Sequence, residues 1–227
     1  MSLILHIDTS TETAGIFLSS EGLLLSSELN PTQNDQAAWI HTAIDKLMRD
    51  AGYHMKDLKA VAVVAGPGSY TGLRVGMATA KGICYALDIP LITENTLELM
   101  AASAFIKLRY LPIPQTSIFC PLIDARRMEV FTALYDSLLV ELLSPRALVL
   151  EENSFETWLT QGPIFFFGSG AAKWQQVCHH SNAYFVPVLF SGEQFVSRTY
   201  SKFLRNEFTV LAYAEPVYLK EFYTHPK

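Results

Sequence analysis

AVAVVAGPGSYTGLRVGMATAKG (residues 60–82) joins a fully apolar run to a glycine-rich loop and then to a helical pattern. The run 60–65 is apolar on both faces, which predicts a strand buried on both sides. Phosphates are often held where a glycine-rich loop opens a helix. The reading of this loop therefore decides between a nucleotide protein and something else. It matches no phosphate template. A P-loop needs glycine, four residues, then Gly-Lys-Ser/Thr; counting from Gly66 or Gly68 puts Thr71 or Leu73 at the second glycine. The dinucleotide fingerprint reaches Thr71 at its third glycine. Lys81 lies more than two helical turns beyond Gly72. Pro67 stands at the first glycine of a Gly-x-Ser-x-Gly elbow around Ser69.

The glycines have another pattern. Gly72, Gly76, Ala80 and Cys84 recur every four residues and so share one helix face. A glycine inside a helix costs about 1 kcal/mol against alanine, so Gly76 needs a packing reason. A ridge of small side chains lets another backbone come close, and Leu73, Met77 and Leu87 flank it. The neighbour is either the protein's own sheet or a second chain. Trp39 favours the second. It lies off the Ile40/Ile44/Leu47 stripe of the preceding helix, and an exposed Trp is an interface candidate. The expected partner-binding face is Trp39, Ile40, Gly72, Leu73, Gly76, Met77 and Ala80.

Working outward, LILHID (3–8) is an apolar strand ending at an acid. A hairpin is expected next, with its turn at Ser20-Glu21-Gly22. A helix through 35–51 follows, capped by Asn34 or Asp35, with Ala37, Ile40, Ile44, Leu47 and Ala51 on its apolar stripe and Gly52 beyond its end. DIPLIT (88–93) reads as a strand, and Asn95 with Glu98 as a capping box. Then the pattern restarts. SIFCPLIDARRMEVFTALYDSLLVELL (117–143) again reaches Ile-Asp, at Ile123-Asp124, and continues into two strands. Asn153 and Glu156 mark another helix start. PIFFFGSGAAKW (163–174) carries an apolar strand into Gly-Ser-Gly and a helix, and a last helix is expected through 193–208. Each half is strand–acid, hairpin, helix, strand–Gly loop, helix. That plan is α/β and is similar to the duplicated actin-like fold, of the ribonuclease H-like class, with two lobes. The expected lobes are 1–110 and 111–227, the last segment packing back on the first.

Composition supports a folded protein: half of the 227 residues are hydrophobic and 17% charged. Net charge is −5 with no basic run, unlike a chain that grips nucleic acid alone. Three scattered cysteines argue against a disulfide framework and for a reducing compartment. The opening MSLILHIDTS has no basic region and turns polar too early for a signal peptide, and no apolar run approaches the ~20 residues of a membrane helix. The expected location is the cytoplasm, with no membrane partner.

In actin-like ATPases each first-strand acid is followed by glycine. Here the runs are Asp8-Thr9-Ser10 and Asp124-Ala125-Arg126-Arg127. Two long side chains stand where a phosphate needs bare backbone. Only Gly168-Ser169-Gly170 keeps the nucleotide look. Asp8, Thr9, Ser10, Asp124, Gly168 and Gly170 thus read as a vestigial nucleotide cleft with at most weak ATP or ADP binding. Asp124 is expected to cap a turn, and Asp8 is open between that and a cleft role. Cys178-His179-His180 reads as solvated surface, because three consecutive ligands diverge too far for one metal. No catalytic or metal-binding residue is assigned.

GPGSYTGLRVG (66–76), the IDTST start, IDARRMEVFTALY (123–135) and EPVYLK (215–220) together resemble the bacterial TsaB family, also called YeaZ. The resemblance implies an actin-like, non-catalytic subunit of the complex that makes N6-threonylcarbamoyladenosine in tRNA, next to the anticodon. It also implies a catalytic paralogue, TsaD, which holds the metal, an associated ATPase, TsaE, and homodimers or a TsaD heterodimer formed through helices 35–51 and 72–87. tRNA would meet the complex rather than this chain. A Glu-His-Ser-like stretch common in the family reads Gln33-Asn34-Asp35 here. The alternative is a peptidase-like or ATP-dependent enzyme of the same superfamily; against it, the chain has neither His-Glu-x-x-His nor a recognisable serine elbow.

Overall fold

The computed structural model describes residues 1–31, 35–109, 114–188 and 191–220. The first half of the chain runs β1 (Leu3–Asp8), β2 (Ala14–Ser20), β3 (Leu23–Asn30), α1 (Gln36–Asp50), β4 (Ala60–Gly66), α2 (Tyr70–Leu87), β5 (Leu91–Asn95) and α3 (Thr96–Leu108). The second half runs β6 (Ile118–Asp124), β7 (Glu129–Tyr135), β8 (Glu141–Val149), α4 (Glu156–Leu159), β9 (Ile164–Phe167), α5 (Ala171–Gln175), β10 (Ala183–Phe185) and α6 (Gly192–Leu204). The two sheets have the orders β3-β2-β1-β4-β5 and β8-β7-β6-β9-β10. One order, used twice, is the duplication that the sequence pattern announces.

Local chemistry explains the elements. The β2–β3 hairpin turns at Glu21 and Gly22, both at positive φ, as the primed turn of a two-residue hairpin requires. β1 pairs antiparallel with β2 from Leu3↔Ser20 to Asp8↔Gly15, and parallel with β4 from Ile4↔Ala60. α1 ends at Asp50 and is capped by Ala51, with Gly52 beyond it at φ 76°. α2 begins earlier than its small-residue ridge suggests, at Tyr70, because the Ser69 hydroxyl accepts from the Gly72 amide at 3.3 Å. α4 is a single turn entered from Phe155 at φ 63°, not from Asn153. α6 stops at Leu204 rather than 208.

Each compact unit has a helix layer on both faces of its sheet. The units are Met1–Thr96 with Ser191–Val217, and Leu97–Phe190 with Tyr218–Lys227. In the first, α1 and α2 pack on Leu3, Leu5, Ile7, Val61 and Val63. The other face takes α6: Phe195 meets Phe17 and His6 edge-on, and Thr199 reaches the His6 ring at 3.1 Å. In the second unit, Trp174 of α5 and Leu159 of α4 cover one face, while Leu97, Ala101 and Ala104 of α3 cover the other, against Phe119, Phe165 and Phe167. The boundary therefore differs from the expected 110/111. α3 leaves the first repeat for the aromatic-rich second sheet. α6, the last helix of the second repeat, belongs to the first unit, where the buried Glu94 carboxylate draws Lys202 at 3.0 Å and Arg198 at 3.5 Å.

Candidate functional site

At the end of β1, Asp8, Thr9 and Ser10 are all buried. Asp8 Oδ1 accepts from the Ser10 amide at 2.9 Å and from the Ser10 hydroxyl at 2.6 Å. The amide that would face a phosphate is thus held by the protein's own acid. Burial raises the Asp8 carboxyl above its ordinary range, and the two Ser10 bonds offset this only in part. The glycine-rich loop lies directly on this turn. Ser69 N donates to Ser10 O at 2.7 Å, and Thr9 Oγ1 donates to Gly72 O at 2.6 Å. A Cβ at Gly68 would overlap the Ser10 carbonyl, one at Gly72 the Thr9 carbonyl, and one at Gly76 the Thr9 hydroxyl. Those three glycines make room for the 9–10 backbone and the Thr9 side chain. Carbonyl oxygens lining a loop also repel an anion.

This corrects the partner-face reading. Gly72, Leu73, Gly76, Met77, Ala80 and Cys84 are buried inside the first unit against its own sheet, and Ile40 is fully buried too. Trp39 is half-buried and packs on the core instead of standing free. The outward residues of α2 are Thr71, Arg74, Ala78, Gly82, Tyr85 and Ala86, and those of α1 include Ala37, Ala38 and His41. Ala37, expected on the apolar stripe, is exposed, and Gln36 takes the buried place four residues before Ile40. Sequence reasoning missed Gln36, whose Nε2 donates to Thr11 O at 3.3 Å. Its position at i−4 from Ile40 was the available signal. Of the Gln33-Asn34-Asp35 stretch, Gln33 and Asn34 lie outside the described residues.

The second unit repeats the design with different chemistry. Asp124 Oδ1 accepts from the Arg126 amide at 2.6 Å and pairs with Lys173 at 2.9 Å, while its own amide donates to Ser169 Oγ at 3.0 Å. Burial pushes the Asp124 carboxyl up, but Lys173 and the Arg126 amide outweigh it and hold the carboxyl below its ordinary value. So Asp124 organises a turn, as expected. Lys173 was not foreseen; its ammonium also donates to Arg127 O at 2.6 Å and Glu129 O at 3.3 Å. Gly168 has φ 101°, and a Cβ there would meet Leu122 O at 2.5 Å. At Gly170 a Cβ would meet Val130 at 2.7 Å. The Gly-Ser-Gly loop therefore passes closely over Leu122 of β6 and Val130 of β7.

Cys178 packs in the second core, His179 is exposed, and His180 Nδ1 accepts from the Asn182 amide at 3.1 Å. They border an open groove of about 660 Å³ with Glu151 and Glu156. Among the described residues no three His, Cys, Asp or Glu side chains are grouped to hold a metal ion, and no helix is long and apolar enough to cross a membrane.

Two sheets of one strand order, each with an acid at the end of its first strand and a glycine loop folded back on it, define a protein of the duplicated actin-like, ribonuclease H-like class. Residues 31–198 match the family model described as TsaD, tRNA N6-adenosine threonylcarbamoyltransferase. The chain is 30% identical over 182 residues to the tRNA threonylcarbamoyladenosine biosynthesis protein TsaB of Bacillus subtilis, covering 77% of this chain and 74% of that protein. Against TsaB of Escherichia coli it is 34% identical over 133 residues, covering 58% of this chain and about half (54%) of that one. The solved structure of YeaZ from Pseudomonas aeruginosa superposes with a TM-score of 0.76 at 24% identity, covering 96% of this chain and 100% of that one. The chain belongs to the TsaB (YeaZ) family of tRNA threonylcarbamoyladenosine biosynthesis proteins.

Proposed function

We propose that this chain is a non-catalytic subunit of the assembly that forms N6-threonylcarbamoyladenosine in tRNA, and that it docks and supports a TsaD-type catalytic paralogue. The observation that carries this reading is the occupation of both candidate phosphate loops by the chain's own groups: Thr9, Ser10 and Asp8 in the first unit, Leu122 and Lys173 in the second. ATP or ADP would bind this chain weakly at most. In the assembly, the threonylcarbamoyl group passes from an adenylate donor to the exocyclic amine of adenosine. That amine is a poor nucleophile, and the metal suited to assist it belongs to the paralogue. A TsaE-type ATPase and a second copy of this chain are the other partners, tRNA is gripped by the assembly, and the location is the cytoplasm.

The docking face proposed here is the outward side of α2, beside α1. Gly82 supports it. It lies inside the helix with nothing within 4 Å of a would-be Cβ, so the chain's own packing gives no reason for a residue that costs about 1 kcal/mol. Tyr85, one turn on, is 83% exposed. Calorimetry tests the reading. Titration of the purified chain with the paralogue should show tight binding that Gly82→Leu weakens, and titration with Mg-ATP should show little heat. Stoichiometric ATP binding by the isolated chain, or ATP or casein turnover lost in Asp8→Ala, would favour an enzyme instead.

A further inference from the structure

The β6–β7 turn holds two consecutive arginines in the left-handed region, Arg126 at φ 71° and Arg127 at φ 48°. That backbone suits glycine or asparagine. A long side chain stays there only where the surroundings fix it, and here they do. Lys173 ties the Arg127 carbonyl to Asp124, and Asp124 accepts from the Arg126 amide. Main-chain bonds Ala125 N to Glu129 O and Glu129 N to Arg126 O, both 3.0 Å, close the turn.

The bracing neutralises the neighbouring cations but not the arginines. Lys173 is paired with Asp124, and Lys220 with Glu129. Both arginines are exposed, and among the described residues neither guanidinium meets a carboxylate. The result is a rigid turn that presents two adjacent planar cations on a chain of net charge −5. Guanidinium forks match phosphate oxygens in shape and charge. A protein partner would call for an aromatic anchor beside them, and the turn offers only Met128.

We propose that the Arg126–Arg127 turn is a phosphate-backbone contact for RNA, contributed by this chain to the assembly. The inference rests on the tRNA-modification reading above. Two such contacts are too few to hold RNA alone at physiological salt, so the turn acts within the complex.

The test uses the full chain reconstituted with its catalytic paralogue and an unmodified tRNA transcript, with the Kd measured across a KCl series. The double variant Arg126→Asn/Arg127→Asn removes both charges while keeping a side chain that tolerates this backbone. Its thermal midpoint should equal or exceed wild type, and gel filtration should show the complex intact. tRNA affinity should fall several-fold, and the slope of log K against log salt should shrink by about 2. Arg126→Lys/Arg127→Lys should retain most of the slope. Unchanged affinity and slope in an intact double-Asn complex would overturn the proposal while leaving the subunit reading in place. Loss of the complex itself would make the turn a protein contact, which also overturns it. A wild-type assembly without affinity for tRNA would sink both this inference and the reading beneath it.

Discussion

Thr9 Oγ1 donates to the carbonyl of Gly72 at 2.6 Å, joining the end of β1 to the first turn of α2 across 63 residues. The contact is so close that the Thr9 carbonyl and hydroxyl fill the places of side chains at Gly72 and Gly76.

The first prediction follows from that closeness. Gly72→Ala and Gly76→Leu should each destabilise the isolated chain by about 1–3 kcal/mol or more, with Gly72→Ala acting against rigid backbone. Gly82→Ala, in open space on the same helix, should stabilise it by up to about 1 kcal/mol. Urea unfolding of the three variants separates these outcomes. A Gly76→Leu chain of wild-type stability that merely fails to bind its paralogue would restore the ridge as a partner face.

His6 supplies a pH prediction. It is fully buried, with Ser19 Oγ 2.8 Å from Nε2, and desolvation lowers it to about 3. Its folded value lies below the ordinary 6.5, so the native state binds fewer protons. The stability His6 provides is complete above pH 6.5 and is lost as pH falls toward 3, at up to about 1.4 kcal/mol per pH unit. His6→Gln should be less stable at pH 7 yet show a shallower acid loss. Chemical denaturation at pH 7, 6 and 5 would reveal equal slopes if this is wrong.

Asp8 has the opposite sign. Its carboxyl is raised, first by burial, so its contribution is favourable below the ordinary carboxylate value and declines as pH rises above it. Asp8→Asn keeps an oxygen for the two Ser10 bonds without a buried charge. The thermal midpoint of Asp8→Asn should exceed wild type at pH 7 and converge with it near pH 4. A drop at pH 7 would mean that the ionised form is wanted there.

Glu94 anchors α6 to the first sheet. Its carboxylate is buried, while Arg198 and Lys202 keep some solvent contact. Glu94→Ala removes the buried carboxylate that offsets two partly buried cations, and should cost about 2–4 kcal/mol. Hydrogen exchange should show α6 amides opening first. Loss of protection spread evenly over the chain would contradict that anchoring role.

The succession of strands along the chain as far as β9, the doubled pattern and the acids at Asp8 and Asp124 were legible in the sequence, because strand periodicity, hairpin turns and glycine loops are written locally; the three-residue β10 was too short to carry such a pattern. The turn at Asp124 was legible too, as a cap at a strand end. Which face of a helix meets which surface was not. Gly72, Gly76 and Ala80 looked the same whether they faced a stranger or the chain's own β1, since spacing says only that small residues share a side. Trp39 showed the same ambiguity. The exchange of α3 and α6 between sheets, the Lys173 clamp and the Gln36 contact depend on groups tens of residues apart. Burial and long-range hydrogen bonds are properties of the packed chain, and only packing could assign them.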